Sequence, residues 1–185
     1  MIKKLLFLLA IGCYSLSFSQ QAYYNDVDLN LTGTTLKDAL ATKIINTHTK
    51  SLSYTPDIWN ASKITDVNPS NSSAVLLIYG YTATGSTSRT RGINDNGGNV
   101  GDWNREHVFA NSLADPDLDA TGSSTPPYSD AHNLRPCDTQ MNSTRSNKKF
   151  ATGSGANSNS VSGGWYPGDE WKGDVARIIM YMYLR

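Results

Sequence analysis

The sequence predicts an α+β domain of mixed helices and short strands joined by long polar loops. Hydrophobic residues make up 38% and charged residues 17% of the 185-residue chain, both below the usual shares, which favours short elements. Glu106 and Glu170 are the only glutamates, a scarcity that excludes a coiled coil or a helical bundle because such folds use many strong helix formers. The 10 tyrosines and 4 tryptophans favour half-buried sheet surfaces instead. The length suits one domain, since domains typically hold about 100–200 residues.

The first predicted elements are one helix and one buried strand. Thr35 followed three residues later by Asp38 resembles a capping box, and apolar residues then recur at helical spacing, so residues 35–50 are predicted to form an amphipathic helix. Residues 73–81 are a continuous apolar, β-branched run with turn formers on both sides, as expected for a buried strand. Residues 82–101 are rich in Thr, Ser, Gly and Asn and are predicted to form a long surface loop.

The C-terminal part of the chain predicts two further helices separated by a polar segment. Residues 141–150 have the pattern of a polar helix, and residues 151–164 read as a flexible, low-complexity connector. Asp174 can cap a last helix, whose apolar face consists of Val175, Ile178, Ile179 and Met182. Because this helix ends on MYMYLR with apolar and aromatic side chains to cover, we expect the domain to be truncated at its C-terminal end.

The first 19 residues have the features of a signal peptide. Lys3 and Lys4 precede an apolar run, and Ser17 and Ser19 form a small-residue exit, so residues 1–19 are predicted to be removed and residues 20–185 to be the mature domain. The apolar run is far shorter than the ~20 residues needed to span a bilayer, so we expect a soluble, secreted or periplasmic protein. A competing interpretation places a lipid on Cys13, but alanine stands where leucine is usual in such sites.

The charge and cysteine content restrict the classes of ligand and of stabilising bond. Removing the signal peptide lowers the basic residues from 16 to 14 against 16 acidic ones, so the mature chain has a formal charge of −2. A phosphate-containing partner would therefore need a local cluster of cations or a metal ion. Cys137 would be the only cysteine of the mature chain, which excludes an intramolecular disulfide there.

Three polar blocks carry the candidate chemistry. The first, REHVFANS, places Glu106 beside His107, and the second, SDAHNLRP, places His132 close to Asp130. The third, MNSTRSNKKF, would as a helix align the amide of Asn142 with Arg145, and Arg145 with Lys149, on one face. A face with one amide and two cations suits a metal ion and a phosphate. Taken singly, each block also has a plain interpretation, namely a surface glutamate beside a hydrogen-bonded histidine or a solvated polar helix.

Together the three blocks resemble the endonuclease I family, secreted or periplasmic nucleases of the ββα-metal (His-Me finger) class. The resemblance includes the order, the spacing and the identity of the residues, and it covers most of residues 35–185 with its diagnostic part in 102–150. It implies a strand that ends in the catalytic histidine, a long loop, a second strand, and a helix that supplies a metal-binding asparagine.

Carried over to this sequence, the resemblance implies His107 as the general base and Glu106 and Asn142 as the protein ligands of one metal ion. It also implies an arginine near the scissile phosphate. The candidates for that arginine, in falling order, are Arg105, Arg135, Arg89 and Arg91. The remaining matched or neighbouring positions are His132 as a further catalytic residue, and Arg145, Asn147 and Lys149 as phosphate-binding residues.

The chemistry of phosphodiester hydrolysis agrees with these roles. A histidine with an ordinary pKa of ~6.5 can accept a proton from water at neutral pH, and a hard cation can stabilise the developing charge on the phosphate. One carboxylate and one amide oxygen suit Mg²⁺, with Ca²⁺ or Mn²⁺ as substitutes. The sequence thus predicts a sequence-nonspecific endonuclease acting on DNA, with RNA left open, that leaves 5′-phosphates, acts as a monomer and does not bind membranes.

Two other functions stay open at the level of the sequence. One is a zinc-dependent hydrolase built from His107, His132, Asp130 and Cys137, although no CxxC or HExxH spacing supports it. The other is a non-enzymatic extracellular module that binds glycans on a surface of Asn, Thr, Tyr and Trp side chains.

Overall fold

The computed structural model describes residues 22–185 and divides the chain into two compact units. The larger unit, residues 50–183, contains every predicted site residue. The predicted signal peptide and the alternative lipid site at Cys13 lie outside the described residues.

The smaller unit contains helix α1, Gly33–Thr47, where the sequence predicted a helix over residues 35–50. The predicted capping box is wrong, because the helix is preceded by Thr32 as its N-cap, so Thr35 already lies within the first turn. The helix also ends earlier than predicted, since His48 leaves helical geometry. An ion pair of 2.7 Å between Lys43 and Asp26 ties the helix to the segment before it.

The larger unit begins with helix α2, Asp57–Thr65, and an antiparallel sheet of strands β1, Val67–Asn68, β2, Asn71–Leu76, and β3, Thr90–Gly92, in the order β1-β2-β3. Strand β3 pairs with β2 inside the segment predicted as a loop, so that prediction is wrong for these three residues.

The predicted strand over residues 73–81 is correct only to Leu76. Beyond it the chain turns, because the amide of Gly80 donates to the carbonyl of Leu77 at 3.0 Å and Tyr79 adopts a left-handed conformation with φ 71°. Gly80 is required at this turn, since a Cβ there would lie 2.2 Å from the carbonyl oxygen of Ser88. The turn presents Tyr79, with its side chain fully buried, to the interior.

A ββα unit forms the centre of the larger unit and confirms the predicted α+β class. Strand β4, Trp103–His107, pairs antiparallel with strand β5, Leu134–Asp138, and helix α3, Thr139–Arg145, follows β5 directly. Asp138 caps α3 by accepting hydrogen bonds from two backbone amides of its first turn, at 2.9 and 3.1 Å. Strand β4 thus ends at His107, and the helix that carries Asn142 begins at the residue directly after β5.

Helix α3 is shorter than the helix predicted over residues 141–150. It ends at Arg145 because Ser146 has φ 54°, which breaks helical geometry. Asn147 and Lys149 therefore lie beyond the helix, and the predicted helical alignment of Arg145 with Lys149 is wrong.

The C-terminal part contains a hairpin and the last helix. Strands β6, Asn159–Val161, and β7, Gly164–Tyr166, pair with each other, so the segment predicted as a flexible connector is partly strand. Helix α4, Lys172–Leu184, begins two residues before Asp174 and buries Val175, Ile178 and Met182, as the apolar spacing predicted. Within residues 22–185, no helix is long and apolar enough to cross a membrane.

The main hydrophobic core lies between the ββα unit and α4. It contains Tyr79, Val108, Cys137, Met141, Trp165, Trp171 and Val175 among its buried members. A second cluster of Val75, Leu77 and Trp103 lies under the β1-β2-β3 sheet. Both clusters rest on β4 or on the residue that follows it, so the strand that ends at His107 is anchored on both of its faces.

Candidate active site

A polar cavity of about 440 Å³ lies where β4 ends, against α3 and the short 3₁₀-helix Asn111–Leu113. Its walls are mostly amide, hydroxyl and charged side chains. They come from Asn104, Arg105, Glu106, His107, Ala110, Asn111, Ser112, Asn142, Ser143, Arg145, Ser146 and Asn147. The structure thus brings together the predicted base, both predicted metal ligands and two of the predicted phosphate-binding residues.

Glu106 is held in the interior by two partners that its sequence neighbours do not reveal. The residue is 2% exposed, the Tyr79 hydroxyl donates to its Oε1 at 2.9 Å, and Arg145 Nη1 lies 3.0 Å from the same oxygen. Burial raises the pKa of the Glu106 carboxyl to about 7, against the lowering effects of Arg145 and Tyr79. Both contacts use Oε1, and among the described residues no hydrogen bond engages Oε2.

Arg145 lies inside the wall of the cavity rather than on its surface. The residue is 1% exposed, and besides Glu106 it binds the backbone: Nη1 donates to the carbonyl of His107 at 2.9 Å and Nη2 to that of Val108 at 2.7 Å. These bonds hold the end of β4 in place. The sequence predicted a phosphate-binding role for Arg145, but the structure gives its guanidinium a carboxylate and two carbonyls as partners.

His107 is oriented by a carbonyl and by two aromatic rings. Its Nε2 lies 2.8 Å from the carbonyl oxygen of Tyr128. Because a carbonyl can only accept, Nε2 carries the proton and Nδ1 holds the lone pair. The imidazole also stacks on Tyr54, with ring centroids 5.7 Å apart and an interplanar angle of 18°.

Burial also determines the protonation state of His107. It lowers the pKa of the imidazole to about 4, against the raising effect of the Tyr128 carbonyl. At neutral pH the ring is therefore neutral, with one protonated nitrogen and one basic nitrogen. This is the state that a general base requires.

Asn142 faces β4 from the middle of α3. Its Nδ2 donates to the Asn104 Oδ1 at 2.7 Å, and in the described part of the chain no hydrogen bond engages its own Oδ1. Asn104 and Glu106 lie two residues apart on β4, so their side chains share one face of the strand. Among the described residues, one carboxylate oxygen, Oε2 of Glu106, and one amide oxygen, Oδ1 of Asn142, therefore have no protein hydrogen bond, a donor set that suits a hard cation.

Arg105 and Arg135 are both engaged by other protein groups. The Arg105 guanidinium lies 3.6 Å from the ring centre of Tyr54 and 3.9 Å from that of Trp59, and its Nη1 donates to Thr55 Oγ1 at 2.8 Å and to the Tyr54 carbonyl. Arg105 still lines the cavity. Arg135 does not, because it pairs with Asp66 at 2.5 Å beside a different cavity.

The two other arginine candidates lie in ion pairs elsewhere. Arg89 pairs with Glu170 through both Nε and Nη2. Arg91 pairs with Asp138, the cap of α3, at 2.6 Å and also bonds the carbonyls of Gly85 and Gly101. Arg91 thus supports the helix that carries Asn142 without lining the cavity.

The structure separates His132 and Lys149 from the cavity. His132 bonds Asp130 through Nδ1 at 3.0 Å, stacks on Tyr181, and lines the second cavity together with Arg135. Lys149 lines an apolar hollow on the other side of Arg145. Asn147 does line the polar cavity, where its Nδ2 donates to Ser112 Oγ at 3.2 Å.

Comparison with known proteins agrees with the three blocks. A family profile described as Endonuclease I matches residues 32–185. The chain belongs to the endonuclease I family. It is 42% identical over 175 residues to the extracellular ribonuclease of Bacillus amyloliquefaciens, and the aligned region covers 91% of this chain and 55% of that protein. It is 44% identical over 169 residues to the extracellular ribonuclease of Bacillus subtilis strain 168, which covers 88% of this chain and 53% of that protein.

Family membership confirms the resemblance seen in the sequence. The chain spans about half the length of the two relatives. No solved structure matches it.

The zinc site proposed as an alternative is not assembled in this endonuclease I chain. Cys137 is fully buried, burial raises the pKa of its thiol well above the usual range, and its Sγ contacts the Ile78 carbonyl at 3.6 Å. His132 lies at another cavity. Within residues 22–185, no group of three or more His, Cys, Asp or Glu side chains could hold a metal ion.

Sequence reasoning missed three groups that complete the site. Asn104 had a detectable signal, because a polar residue two positions before Glu106 on a strand must share its face. Tyr79 had none, since it ends an apolar run 27 residues before Glu106. Tyr128 contributes its backbone carbonyl, a group that every residue type carries, and its ring, whose centre lies 4.4 Å from that of the His107 imidazole.

Proposed function

We propose that this chain is an extracellular, metal-dependent endonuclease that hydrolyses nucleic acids without sequence preference. One observation carries the proposal. A neutral histidine with a basic nitrogen, a carboxylate and an amide oxygen line one polar cavity, at the end of β4 in a chain of the endonuclease I family. These are the groups that phosphodiester hydrolysis by an activated water needs.

His107 would act as the general base. Its Nε2 proton is bound to the Tyr128 carbonyl, so Nδ1 is the nitrogen that takes a proton from the attacking water. The carbonyl contact and the Tyr54 stack keep the ring from rotating, which preserves the orientation of Nδ1. When the water is deprotonated, the imidazolium keeps its hydrogen bond to the carbonyl, so no rearrangement is required.

Glu106 and Asn142 would hold the cation. Their oxygens fit Mg²⁺, with Ca²⁺ or Mn²⁺ as substitutes, because both are hard ligands and the cavity has space for water. When bound, the ion supplies charge stabilisation at the phosphate and a proton source for the leaving 3′-oxygen. Tyr79 and Arg145 keep the Glu106 carboxylate in place, and the Asn104 contact does the same for Asn142.

The substrate would be RNA, DNA or both, bound through its phosphates. The two relatives are named extracellular ribonucleases, which supports RNA as a substrate and, with the predicted signal peptide, secretion. Arg105 and Asn147, which both line the polar cavity, are the proposed phosphate contacts inside that cavity. Lys149 would contact phosphates farther along the nucleic-acid strand. We propose that the protein acts as a monomer.

A cleavage assay on the full mature chain tests this function. Supercoiled plasmid and a structured RNA are each incubated with the protein in Mg²⁺, in EDTA and after dialysis against Zn²⁺, and retained metal is measured. We expect cleavage in Mg²⁺ and none in EDTA. Zinc that stays bound through dialysis and supports the activity would favour the zinc hydrolase, and failure to cleave either substrate would leave the glycan-binding module.

A further inference from the structure

The charges around the polar cavity are unusual for a site that binds a cation. Three lining residues carry a formal charge, namely Arg105, Glu106 and Arg145. The other lining residues are neutral amides, hydroxyls and one alanine, together with the imidazole of His107, which keeps one proton on Nε2 against the Tyr128 carbonyl and a lone pair on Nδ1. The cavity walls therefore hold two positive charges against one negative charge, which disfavours a divalent cation that arrives alone.

Arg145 is the main source of this imbalance. Its guanidinium lies 3.0 Å from the Glu106 carboxylate, and the two side chains are 1% and 3% exposed. Bulk water does not reach between them, so the charge of the guanidinium is only weakly screened from a cation bound to the same carboxylate. A cation at Glu106 would bind the same carboxylate as the Arg145 guanidinium. The guanidinium is fixed in position, because both of its Nη atoms also donate to backbone carbonyls.

A phosphodiester changes this balance, because it brings one negative charge into the same cavity. The positively charged wall attracts the phosphate, and the bound phosphate then offsets the repulsion that a cation meets. Each ligand thus improves the site for the other. Binding equilibria of this kind are reciprocal, so the factor by which substrate raises cation affinity equals the factor by which the cation raises substrate affinity.

We propose that Arg145 makes cation binding at Glu106 and Asn142 depend on a bound phosphodiester. The free protein binds divalent cations weakly, and the cation and the nucleic acid bind cooperatively. Arg145 is then a positioning residue that acts through Glu106 on the cation, and not a phosphate ligand. This inference rests on the proposed function, since it concerns the same two ligands.

The test measures Mn²⁺ binding by electron paramagnetic resonance of the free ion. The full mature chain with His107→Ala is titrated alone, with a short phosphodiester oligonucleotide, and with the same oligonucleotide carrying uncharged methylphosphonate linkages. The substitution slows cleavage by ~10²–10⁴-fold, so the oligonucleotide stays intact during a short titration, and oligonucleotides without protein correct for their own Mn²⁺ binding. We expect Mn²⁺ affinity to rise on the order of tenfold or more with the phosphodiester, as a coupling of ordinary size, and not with the methylphosphonate.

Three further variants identify Arg145 as the cause. Arg145→Gln removes the charge and, with Glu106 ionised, should raise the Mn²⁺ affinity of the free protein by about tenfold or more, because a nearby charge shifts the affinity of a carboxylate for a proton by about 10–1000-fold. Arg145→Lys keeps the charge and should leave that affinity low. Tyr79→Phe removes the other hydrogen bond to Glu106 without changing any charge, so it is the matched control and should also leave the affinity low.

The outcomes separate this inference from the proposed function. Equal Mn²⁺ affinity with and without the phosphodiester, in a protein whose wild type cleaves nucleic acid, overturns the coupling and leaves the nuclease function standing. A folded Arg145→Gln variant that binds Mn²⁺ no better than wild type overturns the role of Arg145. Absence of both Mn²⁺ binding and cleavage overturns the proposed function and this inference together. If Arg145→Gln does not fold, the oligonucleotide comparison still tests the coupling, and Mn²⁺ affinity that is equal with the two oligonucleotides overturns the inference.

Discussion

Replacing the two adjacent residues His107 and Glu106 should produce losses of different kinds. His107→Ala removes Nδ1 and with it the proposed base, so cleavage should slow by ~10²–10⁴-fold. At about 1.4 kcal/mol for each factor of ten, this is a rise of about 3–5 kcal/mol in the activation barrier. Glu106→Gln keeps the base and removes a negative ligand, so the rate should fall through weaker cation binding.

The contacts of His107 and Glu106 indicate how each variant affects folding. His107→Ala removes one hydrogen bond to the Tyr128 carbonyl and the stack on Tyr54, a loss of about 1–3 kcal/mol of stability. Glu106→Gln leaves the buried guanidinium of Arg145 without its charged partner, and breaking a buried ion pair in this way costs about 3–5 kcal/mol. Rates must therefore be compared at a temperature at which circular dichroism shows both variants to be folded.

The assay measures initial rates on a fluorescent oligonucleotide over a wide range of Mg²⁺ concentrations. Excess Mg²⁺ should recover part of the Glu106→Gln rate and none of the His107→Ala loss. His132→Ala is the matched control, because this histidine is exposed at another cavity and its loss should leave the rate close to that of wild type. The assignment is refuted if His107→Ala cleaves at the wild-type rate, or if Mg²⁺ rescues both variants to the same extent.

Three further predictions follow from other contacts. The pKa of Asp130 is lowered to about 2, because hydrogen bonds from His132 and Tyr181 outweigh the raising effect of burial. The free energy of unfolding should therefore fall by about 2 kcal/mol as the pH falls from about 4 through 2. In urea unfolding, Asp130→Asn should lack this contribution. Asn133 is fully buried and bonds both the amide and the carbonyl of Phe109, at 2.7 and 3.0 Å, so Asn133→Ala should lower the unfolding free energy by about 2–5 kcal/mol; a change below about 0.5 kcal/mol, typical of a surface site, would contradict this role. Cleavage should leave 5′-phosphates, and end-labelling that finds 3′-phosphates would refute the proposed leaving group.

Local sequence patterns were sufficient for the elements that their own residues specify. The apolar spacing of Val175, Ile178 and Met182 predicted the buried face of α4, because side chains three or four residues apart share one side of a helix. The buried face of a helix depends on short-range geometry, which a sequence displays directly. The strand ending at His107 and the helix carrying Asn142 were instead implied by the resemblance to the endonuclease I family, and both are present.

Element ends were predicted less well, because backbone conformations at single residues decide them. The helix predicted to reach Phe150 ends at Arg145, where Ser146 takes a positive φ. The strand predicted to reach Tyr81 ends at Leu76, and within the turn that follows Tyr79 also takes a positive φ. Neither serine nor tyrosine favours this conformation, so its occurrence at these two positions follows from the surrounding packing and could not be read from residue type.

The sequence by itself determined the chemical inventory of the site, a histidine, a carboxylate and an amide in the order of one nuclease family. The tertiary structure decided which arginine serves which purpose. Arg145, Arg105 and Arg135 are chemically identical, yet one clamps Glu106, one lies between two aromatic rings, and one pairs with Asp66 beside another cavity. Arg145 donates a hydrogen bond to a residue 37 positions away along the chain, and Arg105 donates one to a residue 51 positions away. Only packing brings such residues together, and a long, flexible cation meets whichever carboxylate, carbonyl or ring the fold places within its reach.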